Sequence, residues 1–387
     1  MRRLLLLVCG LVWVDTMLYA ALTPLLPHFA HTLHLSKGYA GLLVGAYAAG
    51  ALVGGLPGGA AAVRLGSQRA VLVGLTLMGL SSLGFAFASG YWALFGARFL
   101  QGAGSAFTWA GAFAWLLAAT PRARRGEVIG TALGAAVFGA LLGPVVGTAA
   151  ALVGRDVVFT ALAGLAVVFA VWTLRLESIP PEEPSFAAMR RALRDSRFIG
   201  GLVLMCLPSF LFGVLSTLAP LHLAAAGWGA AAIGAVWLVG ASFETALSPV
   251  AGRMVDRRGM LMPVQLSLTV GAATSVLLAV GPRPLAYVPL IIVAAAAYGV
   301  LFTPSFALIA DGAERTGLPQ GMAFGLMNAA WATGALVGPA AGGAVAAATG
   351  DVVPYLVSAL FCAAALAAVR RARHHTTTRA VPSDVAR

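Results

Sequence analysis

Runs of about twenty apolar residues separated by short polar turns recur along the whole chain, and no other feature restricts the fold as much. A helix rises about 1.5 Å per residue, so such runs match a hydrocarbon core roughly 30 Å thick. In lipid, backbone polar groups must be satisfied within the protein, which leaves helices or closed barrels. Apolar runs this long and continuous read as helices. Twelve are predicted: 4–26, 38–63, 70–88, 91–118, 127–153, 157–174, 198–225, 230–250, 261–281, 285–307, 320–348 and 353–369. Only 10% of residues are charged, against roughly 25% in soluble domains. The 47 glycines suit membrane bundles, where small residues let helix backbones approach. The expected class is an all-α integral membrane protein. The start "MRRLLLLVCG" resembles a signal peptide's charged and apolar regions. Asp15 interrupts that pattern and no clean small-residue cleavage site follows, so a retained first span is expected.

Basic residues set the orientation. With the N-terminus in the cytoplasm, 21 of the 25 Lys and Arg fall in interior loops and tails, including Arg64, Arg125, Arg190, Arg257 and Arg371. Lys37, Arg155 and Arg283 fall outside, and Arg98 lies within a span. The net charge of +12 is therefore a topology signal and calls for no nucleic acid. Both termini are expected in the cytoplasm of a multi-pass protein of the cell (plasma) membrane. Cys9, Cys206 and Cys362 fall singly in different spans and suggest neither a disulfide framework nor a metal site.

The segment "RLESIPPEEPSFAAMRRALRDSR", 175–197, is the long polar stretch that divides the spans six and six. It reads as a cytoplasmic linker with a short amphipathic helix around Phe186–Arg194. The expected organisation is an N-terminal half 1–174, the linker 175–197, a C-terminal half 198–369 and a basic, disordered tail 370–387. The halves repeat. Gly130, Gly139, Gly143, Pro144 and Gly147 recur as Gly325, Gly334, Gly338, Pro339 and Gly342, at an offset of 195. "GAAAVRLGSQR" from Gly59 recurs as "GRMVDRRGMLM" from Gly252 at an offset of 193, and Pro24 answers Pro220 at 196. Duplicated six-span halves with a site between them are a transporter architecture.

On these residues the chain resembles the major facilitator superfamily, specifically its twelve-span drug:proton antiporter branch. Four motifs carry the resemblance: Asp15 with "PLLP" in the first span, the basic glycine loops after spans two and eight, "RFLQGAGSAF" in the fourth span, and the glycine-proline pattern of the fifth. The spacing in "DTMLYAALTP" is also similar to the first span of vesicular amine transporters. The resemblance implies two pseudo-symmetric six-helix halves. It assigns Arg98 to proton coupling and associates the fifth-span pattern with exporters. It implies that the loop glycines and charges (Gly59, Arg64, Gly66; Gly252, Asp256, Arg257, Gly259) govern gating. Where the first loop is expected to hold an Asp, this chain has Val63, whereas the second keeps Asp256. The cytoplasmic latch is therefore expected to depend on the C-terminal copy.

Asp15 is an ionisable group at mid-membrane and thus a functional residue by default. Arg98 lies at a similar depth, so the two are expected to meet. Gln101 and Ser105 share the Arg98 helix face at i+3 and i+7. Proton transfer, cation binding and a static helix–helix contact all remain open for Asp15. Glu244, roughly 9 Å from the cytoplasmic end of its span by helix rise, is a second proton, substrate or gating candidate. Tyr19, Trp237, Asn328 and Trp331 supply rings and an amide suited to an amphipathic ligand, or to interhelical packing. Gly139, Gly143 and Gly147 form one small-residue stripe beside Pro144, which removes a backbone hydrogen bond. Gly130 falls off that stripe. His28, His31 and His34 read as a wetted loop beyond the first span.

No nucleotide-binding loop is present, so no cofactor is expected. The function read here is proton-coupled export of a small amphipathic or cationic compound by a monomer in the bilayer. The alternatives are a proton-linked carrier of a sugar or organic acid, and a non-transporting membrane sensor.

Overall fold

The computed structural model describes residues 2–121, 124–178, 185–258, 261–281, 283–318 and 320–378. The described residues fold into fifteen helices: α1 Arg2–Ala20, α2 Leu26–Thr32, α3 Lys37–Arg64, α4 Ser67–Phe87, α5 Tyr91–Ala119, α6 Arg125–Val153, α7 Arg155–Leu174, α8 Phe186–Ala192, α9 Ser196–Ala225, α10 Ala230–Arg258, α11 Leu261–Ala279, α12 Pro284–Val300, α13 Phe302–Thr316, α14 Gln320–Thr349 and α15 Val352–Thr378. Eleven stretches are long and apolar enough to cross a membrane. α5 is also long enough, but Arg98, Gln101, Ser105 and Thr108 make it more polar, and all four are buried. Leu152, Val167, Val203 and Leu360 remain more than half exposed on the bundle's outside, as side chains bathed in lipid would be.

Two predicted spans are broken where the sequence reading ran them through. The first, 4–26, ends as a helix at Ala20 and resumes at Leu26 after a turn over 21–25. Pro24 has no N–H for the Ala20 carbonyl, and Thr23 N bonds back to Ala20 O at 3.4 Å instead. The tenth, 285–307, breaks at Leu301, because Pro304 has no N–H for the Val300 carbonyl. The basic glycine motifs also differ from the expected loops. Gly59 and Arg64 belong to α3, and the turn is only Leu65 and Gly66, where a φ of 89° suits glycine. Gly252, Asp256 and Arg257 belong to the last turns of α10, with Gly259 outside the described residues. Residues 370–378, expected as disordered tail, continue α15, because their Arg, His and Thr residues follow the helix without a Gly or Pro to stop it. Ser185 caps α8 by accepting from Ala188 N, and Asp195 caps α9 by accepting from Phe198 N at 2.9 Å.

The repeated glycines share one packing reason. A Cβ at Gly139, Gly143 or Gly147 of α6 would overlap the backbone or side chains of Trp13, Ala20 and Ala21 in the first span. At Gly334 and Gly338 of α14 it would overlap the carbonyls of Cys206 and Phe210 in α9. Gly130 and Gly325, the off-stripe members, meet nothing within 4 Å. Gly139→Ala and Gly334→Ala are thus expected to lower thermal stability in detergent by ~1–3 kcal/mol. Gly130→Ala and Gly325→Ala should leave it unchanged or slightly raised, since alanine is the better helix former. Equal melting losses for all four would refute this assignment.

We term the surface where α1 begins and α15 ends the near face. The two halves touch at the far face. Gly41 of α3 lies against the Pro339 carbonyl of α14, and Gly343 of α14 against the Lys37 carbonyl. The equivalent pair, Gly234 of α10 with Pro144 and Thr148 of α6, is also a far-face contact. Lys37 pairs with Asp351, whose other oxygen is 4.0 Å from His222 Nδ1. At the near face Gly55, Gly59, Gly130, Gly134 and Gly325 have no neighbour within 4 Å of a Cβ. These two helix contacts therefore join the halves at the far face.

Candidate functional site

The broken first span creates the site. Where α1 ends, the Leu18 and Tyr19 carbonyls lack helical partners. The Arg98 guanidinium fills this role: Nη1 donates to Leu18 O and Nη2 to Tyr19 O, each at 3.1 Å. Nη1 also donates to Gln101 Oε1, one turn along α5. A cation at a helix C-terminus meets the negative end of the backbone dipole. Arg98 is thus a clamp on the interrupted helix, and among the described residues it forms no ion pair with Asp15. This corrects the expected pairing, for a physical reason: the break at Pro24 exposes carbonyls that the arginine reaches first.

Asp15 is 1% exposed. Its Oδ2 accepts from Ser105 Oγ at 2.7 Å, Trp109 Nε1 at 2.7 Å and Tyr47 Oη at 2.9 Å. Its Oδ1 is buried without a hydrogen-bond partner. Three helices therefore converge on one carboxyl oxygen, with α1 bringing the acid, α3 the phenol, and α5 the hydroxyl and indole. The close α3–α5 approach depends on Gly50 and Gly102, where a Cβ would overlap the carbonyls of Phe99 and Tyr47. Tyr47 also lies under the Arg98 guanidinium, 5.1 Å from ring to cation. Its ring meets Tyr19 at 4.9 Å and, edge-on, Trp331 at 6.4 Å. Trp331 reaches across from α14 and also packs on Tyr19 at 5.3 Å.

The structure thus brings together Asp15, Tyr19, Arg98, Gln101, Ser105 and Trp331 of the sequence-derived candidates. Asn328 lies one turn from Trp331 on α14, half-buried. Trp237 stands apart: it is 9% exposed and packs in the C-terminal core with Ile233, Ile291 and Tyr298. It is a core residue because α10 turns that face toward α12. Glu244 is also remote, its carboxyl occupying the space that a Cβ at Gly299 of α12 would take. Asp256 and Arg257 have described backbones only. Sequence reasoning missed Tyr47 and Trp109. The available signals were a lone tyrosine in the small-residue run "GAYAAG" and a tryptophan one turn beyond Ser105.

A cavity of about 970 Å³ opens at the far face beside the α1–α2 break, with Pro24, Phe29, Arg155 and Trp228 in its wall. Arg155 is held there by the Ala86 and Ala88 carbonyls, at 3.2 and 2.5 Å.

A family model described as Major Facilitator Superfamily matches residues 8–323. A Danio rerio protein described as a probable vesicular acetylcholine transporter-B is 35% identical over 152 residues, covering 37% of this chain and 31% of that protein. The chromaffin granule amine transporter of Rattus norvegicus is 31% identical over 163 residues, covering 41% and 31%. The synaptic vesicular amine transporter of Homo sapiens is 31% identical over 137 residues, covering 34% and 27%. The match thus spans about a third of the length of these curated relatives. A crystal structure of the nucleoside transporter NupG superposes with a TM-score of 0.71 at 14% identity, covering 95% of this chain and 99% of that one. That likeness shows the fold alone.

Proposed function

The chain belongs to the Major Facilitator Superfamily, and from that premise we propose that this multi-pass membrane transporter is a proton-coupled exporter of small amphipathic cations. The observation that carries the reading is Asp15, a carboxyl sealed at mid-membrane with three donors on one oxygen and none on the other. A group so placed gains from taking a cation, since a bare charge in hydrocarbon costs at least ~2.5–3.5 kcal/mol. The rings of Tyr19, Tyr47 and Trp331 beside it suit an aromatic or ammonium cargo. An amine cargo also agrees with the vesicular amine and acetylcholine transporters among the relatives.

In this reading the near face is cytoplasmic. Cargo enters there while the α3–α14 and α6–α10 contacts hold the far face shut. Rocking of the halves then presents Asp15 to the far-face cavity, where a proton replaces the cargo. Alternation between two such states is the general mode of duplicated-half transporters.

The test is uptake of radiolabelled tyramine into proteoliposomes with an imposed pH gradient, with benzoate as the anionic control. Wild type should accumulate tyramine and not benzoate. Asp15→Asn should abolish accumulation, because the amide cannot take up and release the proton. Full gradient-driven accumulation by Asp15→Asn, or uptake of benzoate in place of tyramine, would reject the reading.

A further inference from the structure

The Tyr47 hydroxyl has one hydrogen and two acceptors in reach: Asp15 Oδ2 at 2.9 Å and Ser105 Oγ at 2.8 Å. The residue is 2% exposed, so no water competes from bulk. Ser105 Oγ in turn lies 2.7 Å from Asp15 Oδ2. With Trp109 donating as well, Oδ2 has no room for another hydrogen, whereas Oδ1 is buried and unpartnered. An incoming proton therefore has one open atom on the carboxyl.

We propose that Tyr47 is the positioning residue of the proton site, holding Asp15 by Oδ2 so that the proton is taken at Oδ1, and turning its own hydrogen with the charge of Asp15. When Asp15 is ionised, the phenol donates to Oδ2, where the negative charge rewards the bond. When a proton from water binds Oδ1, Oδ2 becomes the carbonyl oxygen of a neutral acid. The phenol hydrogen is then free to turn to Ser105 Oγ, while Ser105 and Trp109 still serve Oδ2. No bond other than Oδ1–H forms, and no proton leaves Tyr47.

The ring carries this change outward. The same phenol ring underlies the Arg98 guanidinium at 5.1 Å and stands edge-on to Trp331 at 6.4 Å. Arg98 holds the end of α1 through Leu18 and Tyr19, and Trp331 belongs to the opposite half. Tyr47 thus touches the acid, the clamp on the broken helix and the facing half together. A lysine or leucine here would make only some of these contacts.

The inference rests on proton coupling through Asp15, and infrared difference spectroscopy separates the two. On a pH step, wild type in lipid vesicles should show the C=O stretch of a protonated carboxyl, absent in Asp15→Asn. In Tyr47→Phe, which keeps the ring and loses the hydroxyl, the band should persist near its wild-type position, since Ser105 and Trp109 still serve Oδ2. The carboxylate stretch of the ionised acid should move instead, because Oδ2 then lacks the bond from the phenol. Gradient-driven tyramine accumulation should fall about tenfold, the scale of one hydrogen bond to a charged group. Ser105→Ala, which removes the alternative acceptor, should keep the phenol on Oδ2 in both states and so diminish the tyrosine C–O stretch difference that wild type shows on the pH step. An unmoved carboxylate stretch in Tyr47→Phe, or an undiminished phenol difference in Ser105→Ala, would overturn the role of Tyr47. A wild type with no carboxyl band and no driven accumulation would instead overturn the functional reading beneath it.

Discussion

Gly41→Leu is expected to leave the chain folded and inserted but unable to close its far face, with tyramine accumulation lost. At Gly41 even a Cβ would overlap the Pro339 carbonyl, and the Gly343 α-carbon lies 3.2 Å from it. Carbonyl and α-carbon are backbone, so neither can rotate away, and α3 must separate from α14. Lys37 and Asp351 lie at the same end and would be drawn apart with it. Spin labels at the exposed Tyr39 and Val345 positions measure this directly by double electron–electron resonance. Wild type should give a short distance population and Gly41→Leu a longer one by several ångströms, because the helices must part by a side-chain width. The equivalent contact is more forgiving, since at Gly234 the overlapping atom is the Thr148 hydroxyl and the Pro144 carbonyl is 3.3 Å away. Gly234→Ala should therefore be milder. Unchanged distances in Gly41→Leu would show that the far face does not close through this contact.

Arg98→Ala should be the most destabilising single change at the site, and Arg98→Lys should rescue it only in part. Removing the guanidinium leaves the Leu18 and Tyr19 carbonyls and Gln101 Oε1 without their donor. Buried groups stranded in this way cost ~1–3 kcal/mol each. A lysine brings one ammonium, which cannot reproduce the planar fork that spans two consecutive carbonyls. Melting of the detergent-solubilised protein distinguishes this clamp from a role as counter-ion to Asp15. If Arg98 served mainly to neutralise the acid, Arg98→Ala combined with Asp15→Asn would recover stability. The clamp geometry instead predicts additive losses, with Asp15→Asn itself close to wild type. Recovery in the double variant would return Arg98 to the ion-pair role expected from sequence.

Much of this molecule is legible before any coordinates. Helix positions follow from apolar length, and the duplicated pattern at Gly139 and Gly334 marks two close helix contacts, α6 on the first span and α14 on α9. Asp15 stands out because charge in hydrocarbon needs a reason. Less legible were the ends of α1 and α12. There prolines break the helix at Pro24 and Pro304, whereas Pro57, Pro144 and Pro339 sit inside continuous helices. Which proline breaks a helix depends on whether neighbours can satisfy the freed carbonyls, and that is a tertiary property. Trp237 looked like a cavity residue because tryptophan suits ligands and cores equally, and only packing distinguishes the two.

By itself, then, the sequence determined a twelve-span helical bundle, its duplication and the acid at its centre, because these depend on local length, periodicity and the cost of burying charge. The tertiary structure alone decided who serves that acid. Arg98, expected as its partner, is taken by carbonyls that a broken helix exposes. Tyr47, thirty-two residues from Asp15 along the chain, becomes its hydrogen-bond donor because glycines at 50 and 102 let α3 and α5 meet. Such pairings depend on distances between helices, and no spacing within one helix encodes them.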